Sequence, residues 1–314
     1  MTDEQDGEIE RFTFYFGAAS GSSRKALRKL EEPNVMLNYA TKMNEPWSGI
    51  DRLFIDSGGY SFMKGKGEYG TTDTEYLDFI EEHEPEQFAL RDYPCEPDVL
   101  SEHGRNVRDH QRMTTERHVS LLNKLEHRDI EGQPISVIQG WNLEDYLNHI
   151  DELRDRDALT DYVGIGSVCR RNQEAEIRQI VLSVAEALPA GTDIHAFGVK
   201  GSVLQYPDVR QALASADSQS YEFRKQWAVL HDLGPGNTSW KDSAFHYLKQ
   251  RQQIRALLAG DDDSDTEQQT LKAMTDGGRQ ASERRHCETC GSPMRIVPDS
   301  GIETCLPCRR GDEA

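Results

Sequence analysis

Short apolar runs alternate with longer stretches in which apolar residues recur every three or four positions, and the alternation persists to about position 258. The runs are RFTFYFG (11–17), VMLNY (35–39), RLFID (52–56), FALRD (88–92), ISVIQ (135–139), YVGIG (162–166), IHAFG (194–198) and the less apolar ASAD (214–217). Their β-branched and aromatic content predicts eight strands. Between them, residues 73–82 carry Tyr76, Phe79 and Ile80 at helical spacing, and residues 103–126 carry Val107, Val119, Leu121, Leu122 and Leu125. Residues 142–155 open on Asn142, a candidate cap, followed by Tyr146, Leu147, Ile150 and Leu153. Residues 173–188 carry Ile177, Ile180, Val181, Val184 and Leu188. Strand–helix alternation of this kind indicates right-handed βαβ units and a parallel sheet. Eight units in about 250 residues predict an α/β chain folded as a (β/α)8 TIM-type barrel over residues 1–258. An open, doubly wound sheet is the competing arrangement, and residues 40–51 leave little room for a helix between the second and third strands.

The pattern lapses over AGDDDSDTEQQTLKAMTDGGRQASE (259–283), which has few apolar residues and no helical stripe and reads as an acidic flexible linker. Beyond it, residues 284–314 carry Cys287-x2-Cys290 and Cys305-x2-Cys308, two thiolate pairs separated by 14 residues. That spacing reads as a small zinc ribbon, in which the four cysteines complete one tetrahedral structural Zn2+ site. So short a module cannot bury a core unaided, and the metal would supply its folding energy.

Composition changes this picture in two ways. The net charge of −19 looks wrong for a protein that meets nucleic acid. The cations, however, are 25 Arg against 11 Lys set among 55 acidic residues, a combination that resembles halophilic proteins. At molar salt the Debye length is roughly 3 Å, so distant acidic charge scarcely repels a phosphate backbone, and phosphate contacts must be local. No run approaches the roughly 20 apolar residues of a membrane span. The acidic start MTDEQDGEIE is not a signal peptide, and the cysteine usage suits a reducing compartment; a soluble, cytoplasmic protein is expected.

In a barrel of this kind the chemistry sits at the C-terminal ends of the strands. There the chain places Asp56-Ser57-Gly58-Gly59-Tyr60, Asp92, Gln139-Gly140, Gly164-Ile165-Gly166-Ser167, Phe197-Gly198-Val199 and Asp217. Each alone is a plausible helix cap or turn. So many strand ends offering an acid, an amide or bare backbone are better explained together, as a site. His195, inside the seventh run, reads as a core residue. The spacing of Arg170 and Arg171 after the sixth run suits phosphate contact, or pairing with Glu174 or Glu176.

DSGGY (56–60) resembles the signature of the tRNA-guanine transglycosylase superfamily, and VIQG (137–140), Gly164, FGV (197–199) and Asp217 follow in that family's order. GIGSVCRR (164–171) is similar to the DpdA-type branch, which inserts 7-deazaguanines into DNA in phages, archaeal viruses and bacterial islands. The resemblance covers roughly residues 11–230. It implies a pentosyltransferase that exchanges guanine for a free 7-deazaguanine such as 7-cyano-7-deazaguanine. Retention at the sugar wants two carboxylates. The resemblance makes Asp217 the nucleophile and Asp56 the proton acceptor, with Asp92, Gln139 and a backbone N–H near Gly164 reading the base. Ser57, Gly58, Gly59 and Gly198 complete the pocket, and Tyr60 and Phe197 would stack on the base, although core packing is open to both.

Two departures argue against tRNA as the substrate and for DNA. Residues 218–258 hold no cysteine where the tRNA enzymes bind zinc, and the C-terminal RNA-binding domains of the archaeal tRNA enzymes have no counterpart. The ribbon, flanked by Arg284, Arg285, Arg295, Arg309 and Arg310, suits DNA or a protein partner. A tRNA enzyme lacking accessory domains and a non-catalytic nucleic-acid-binding scaffold are the alternatives. A glycoside hydrolase is disfavoured because Trp141 is the single tryptophan near a strand end.

Overall fold

The computed structural model describes residues 12–41, 50–169, 171, 173–228 and 239–259, together with two short strands nearer the C-terminus. Eight parallel strands close into a barrel in chain order: β1 (Thr13–Gly17), β2 (Asn34–Asn38), β3 (Arg52–Asp56), β4 (Gln87–Ala89), β5 (Gln133–Ile138), β6 (Tyr162–Ile165), β7 (Asp193–Ala196) and β8 (Ser215–Ser218). β8 pairs back onto β1, with Tyr15 opposite Asp217, so the sheet is closed and the open doubly wound alternative is excluded. All eight strands fall on the apolar runs, including the weak eighth.

The helices follow the strands. They are α1 (Gly21–Lys29), α2 (Gly59–Lys66), α3 (Asp73–His83), α4 (Pro97–Glu102), α5 (Val107–Leu125), α6 (Leu143–Asp155), α7 (Glu174–Ala187), α8 (Pro207–Ala212), α9 (Ser220–Ala228) and α10 (Trp240–Ala259). Polar residues at their starts explain several of the boundaries. Thr72 and Glu75 form a capping box at α3, Asn106 and Asp109 form one at α5, and the Asp145 carboxylate accepts the Asn142 N–H at 2.7 Å. The helix expected over 103–126 is α5, which starts at Val107 because Gly104 takes φ 60° and Asn106 caps the first turn; α4 precedes that stretch. The described residues directly after β2 form a 3-10 turn, Tyr39–Thr41, and residues 42–49 lie outside the described residues.

Side chains alternate inward and outward along each strand. Tyr15, Met36, Phe54, Ala89, Ile135, Val137 and Tyr162 point inward and fill the barrel, with Phe197 and Ala214 packed against them. Two residues further along the same faces lie Asn38, Asp56 and Gln139, and the same spacing on β7 and β8 takes His195 to Phe197 and Ser215 to Asp217. The polar groups at the mouth thus stand on an apolar floor. The outward face packs on helices; Phe16, for example, meets the Tyr247 ring of α10 at 5.0 Å.

The chain divides into two compact units, residues 1–267 and 268–314. In the second, Arg295–Ile296 and Glu303–Thr304 pair antiparallel, with Ile296 opposite Glu303. Residues 260–283 of the expected linker, and Cys287, Cys290, Cys305 and Cys308, lie outside the described residues. Among the described residues no helix is long and apolar enough to cross a membrane.

Candidate active site

β3 delivers Asp56 to the mouth, and the four residues after it are shaped by what surrounds them. The Asn38 amide, one strand away in register, donates to Asp56 Oδ2 at 2.7 Å. Gly58 turns the chain with φ 76°, and a Cβ there would meet Ala40 and the Asn38 side chain within 3 Å. Only glycine tolerates both constraints. Gly59 lies against Asp92 so closely that a Cβ would stand 2.9 Å from its carboxylate. Ser57 is buried, and its hydroxyl donates to Asp92 Oδ1 at 2.8 Å. DSGGY is therefore a device for bringing a carboxylate at the end of β3 and one from the loop after β4 to one place.

β4 ends at Ala89, so Asp92 belongs to the loop beyond it rather than to the strand expected over 88–92. Tyr69 holds it there. Its phenol donates to the Asp92 carbonyl at 2.7 Å and accepts the Asp92 N–H at 2.9 Å. The second carboxylate oxygen accepts from Gln139 Nε2 at 2.5 Å. The Gln139 backbone is fixed in turn, its N–H donating to His149 Nδ1 at 2.8 Å and its carbonyl accepting from Gln111 at 2.8 Å. Burial pushes the Asp92 carboxyl above the ordinary range, and the Ser57 and Gln139 hydrogen bonds pull it back only in part.

On the other side of the mouth, Asp217 Oδ1 accepts the Gly198 N–H at 2.6 Å and faces His195 Nε2 at 3.3 Å. His195 Nδ1 lies 2.6 Å from the Ser215 hydroxyl, which also meets the Tyr162 phenol. Burial holds the imidazole below its usual titration range, so it is neutral near pH 7. A neutral ring that donates to the carboxylate through Nε2 accepts from Ser215 through Nδ1, which sets one polarity for the whole chain from Tyr162 to Asp217.

Asp56 stands between these two groups. Its carboxyl is pushed up to about 7, first by burial and then by the charges of Asp92 and Asp217, against the pull of the Gly58 and Ser57 N–H groups. The three acids open into one cavity of about 1270 Å³, lined also by Asn38, Gly59, Tyr60, Glu96, Gln139, Gly166, Ser167, Cys169, Phe197 and Gly198. At its outer part stand Lys200, Arg224 and Phe223, and Phe223 is 58% exposed.

The family described as DpdA, DeoxyPurine in DNA protein A, matches residues 40–277, which take in the site from Asp56 to Asp217. The chain belongs to this family. Membership places the DpdA-type chain among transglycosylases, in agreement with the resemblance carried by DSGGY and VIQG. No curated protein matches the sequence significantly.

With the DpdA family established, the remaining expected residues can be placed. Tyr60 lines the cavity and its hydroxyl donates to Asp98 at 3.2 Å, while Phe197 shares its ring between the cavity and the core, 5.8 Å from Phe54. Gly164 is not at the cavity. It lies within β6, and the space its side chain would need is filled by the Phe197 ring, 2.2 Å from a Cβ placed there. Gly166, two residues on, lines the cavity instead. Arg171, for which phosphate contact and pairing with Glu174 or Glu176 were both open, is buried and takes the second course: its guanidinium pairs with Glu176, donates to the Trp141 carbonyl and stacks 4.4 Å from the Trp141 ring. It serves the wall, while Arg170 lies outside the described residues. Asn38, Tyr69, Glu96 and His195 were not expected at the site, whereas Ser167 was among the strand-end residues grouped there. Asn38 and His195 could have been found by stepping two residues along strands already recognised. Among the described residues no group of three or more His, Cys, Asp or Glu is placed to hold a metal ion.

Proposed function

We infer that the protein exchanges guanine in DNA for a free 7-deazaguanine derivative through a covalent aspartyl intermediate. The observation that carries this reading is the division of labour among the three acids. Asp217 is oriented by an N–H and an imidazole, Asp92 by a hydroxyl and an amide, and Asp56 is left near neutrality between them. In the proposed reaction an Asp217 carboxylate oxygen bonds to the anomeric carbon, the bond from that carbon to guanine N9 breaks, and guanine leaves with the electron pair and takes its proton from water in the cavity. The incoming base gives its N9 proton to Asp56, attacks the same carbon and displaces Asp217. Two inversions give net retention. A carboxyl that titrates near pH 7 is matched to holding and releasing that proton.

Asp92 supplies an anionic acceptor for the two N–H groups on the guanine edge. A base enters such a cavity only when its nucleotide leaves the stack. Phe223 at the rim suits stacking on the neighbouring base, and Lys200 and Arg224 suit the backbone, local cations in an acidic chain. Cys287, Cys290, Cys305 and Cys308 are proposed to hold one structural zinc ion, in a module that contacts DNA or a protein partner. The site of action is proposed to be the cytoplasm, the host's where the chain is viral. Nucleoside mass spectrometry tests the reading: cells that make the deazaguanine precursor should carry it in their DNA only when they express this protein. Unmodified DNA, or modification confined to tRNA, overturns it.

A further inference from the structure

Glu96 is a fourth carboxyl of the cavity, 2% exposed, and the reaction as written gives it no task. Its surroundings pose a counting problem. The Ser167 hydroxyl, on a residue held at φ 54°, lies 2.8 Å from Glu96 Oε2 and 2.7 Å from Gln139 Oε1, and it also accepts the Cys95 N–H at 2.8 Å. A hydroxyl has one hydrogen. With Gln139 Nε2 committed to Asp92, the amide oxygen and an ionised Glu96 would both be acceptors facing that single hydrogen. One of them would be an unpaired buried acceptor pressed against a lone pair, which is costly.

Two arrangements satisfy every group. In the first, Glu96 carries a proton and donates to Ser167, Ser167 donates to Gln139 Oε1, and Gln139 Nε2 donates to an ionised Asp92. In the second, Glu96 is ionised, Ser167 donates to it, and the Gln139 amide is turned over. Its nitrogen then donates to Ser167 and its oxygen faces Asp92, which must now be protonated. Passing between them breaks one O–H bond at Glu96 and forms one at Asp92, the proton travelling through cavity water, and the net charge of the pair stays at −1.

We propose that Glu96 is a specificity-determining residue of the base pocket, fixing through Ser167 and the Gln139 amide whether Asp92 meets the base as an anionic acceptor. The inference rests on the base-exchange reading and names its substrate edge. With the proton on Glu96, the pocket takes a purine edge rich in N–H donors, as in guanine and its 7-deaza derivatives. With the proton on Asp92, that proton is committed to the Gln139 oxygen, the anionic acceptor is lost, and the pocket no longer favours such an edge. The Gln139 amide stands as in the first arrangement, with Nε2 on Asp92 and Oε1 on Ser167, and burial raises the carboxyls of Glu96 and Asp92 alike, so the pair retains a proton. The titratable and charged groups facing Glu96 are Asp92, the Cys95 and Cys169 thiols, and the Tyr146 phenol with Arg171 bound to it.

The test is exchange of tritiated guanine into single-stranded DNA, with KM for guanine followed against pH. In the wild-type protein KM should rise tenfold per pH unit once Glu96 gives up its proton, because binding then requires one proton to be restored. Glu96→Gln places a permanent N–H donor opposite Ser167, so this rise in KM should vanish, with the effect on KM rather than kcat. Ser167→Ala should raise KM at every pH and also lose the limb. A rise in KM that survives unchanged in Glu96→Gln, in protein with wild-type thermal stability, overturns the proposal. Absence of guanine exchange by the wild-type protein at any pH is a separate result, which overturns the base-exchange reading itself.

Discussion

On the β3–β4 side of the mouth, Asp56 and Asp92 are brought together by Ser57, Gly58, Gly59 and Tyr69, and both carboxyls are pushed upward by burial. On the β7–β8 side, Asp217 stands with a backbone N–H and a neutral imidazole aimed at one of its oxygens. Acids of one residue type, at the same depth of one barrel, are thereby suited to unlike tasks. The crowded side raises proton affinity, which suits the proposed proton exchange and recognition. The donor-lined side orients a carboxylate, which suits the proposed nucleophilic attack. On that proposal, environment rather than residue type assigns the roles.

The strongest way to break this comparison is to remove charge from each side in turn. Asp217→Asn should abolish the covalent protein–DNA adduct and lower exchange at least roughly a thousandfold, since no other carboxyl on that side can take its place. Asp56→Asn should still form the adduct but stall afterwards, lowering turnover by about a hundredfold or more. In the wild-type protein, turnover should rise with pH through about 7, where Asp56 loses its proton and becomes an acceptor. Denaturing gels scored for adduct separate the two variants. Adduct from Asp217→Asn, or none from Asp56→Asn, would reverse the assignment of roles.

Asp92→Asn tests recognition within the crowded side. The variant loses the anionic acceptor but not the Tyr69 clamp, which holds the backbone. KM for guanine should rise about 10- to 100-fold, the worth of a hydrogen bond to a charged group. An unchanged KM, with kcat reduced instead, would move Asp92 from recognition to chemistry.

How much of this was readable in the sequence differs between the two sides. The barrel was legible because its strands are apolar runs that stop at polar residues, and stepping by two from Phe54 or Val137 arrives at Asp56 or Gln139. Asp217 follows from Ser215 in the same way, although its strand is the least apolar. The crowded side resisted this logic. β4 stops at Ala89, and Asp92 and Glu96 are placed by a loop whose course depends on Tyr69 and Ser167, residues distant in sequence. Arg91, beside Asp92, is fully buried against Asp73, Thr71 and three tyrosine rings, and no local pattern announces that. Arg171 misled for the converse reason: an arginine at a strand end resembles a phosphate ligand until Trp141 and Glu176 are seen to enclose it.

The smallest expected effect concerns stability, where the two sides should differ in sign. A carboxyl whose folded pKa is raised favours folding while protonated, and that contribution disappears as pH climbs from the unfolded value near 4 through the folded value of about 7. At pH 8 an ionised Asp56 therefore opposes folding, and Asp56→Asn should stabilise the protein. The cavity lets water reach the group, so the gain is discounted to about 1–2 kcal/mol at pH 8, falling to nothing at pH 4. Asp217→Asn should instead destabilise by about 1 kcal/mol at pH 8, because the Gly198 N–H and His195 lose a charged partner. Paired urea titrations at pH 4 and pH 8 measure both. Stabilisation by the two substitutions alike would mean that the donors around Asp217 do not offset its burial, and the contrast between the two sides would then rest on position alone.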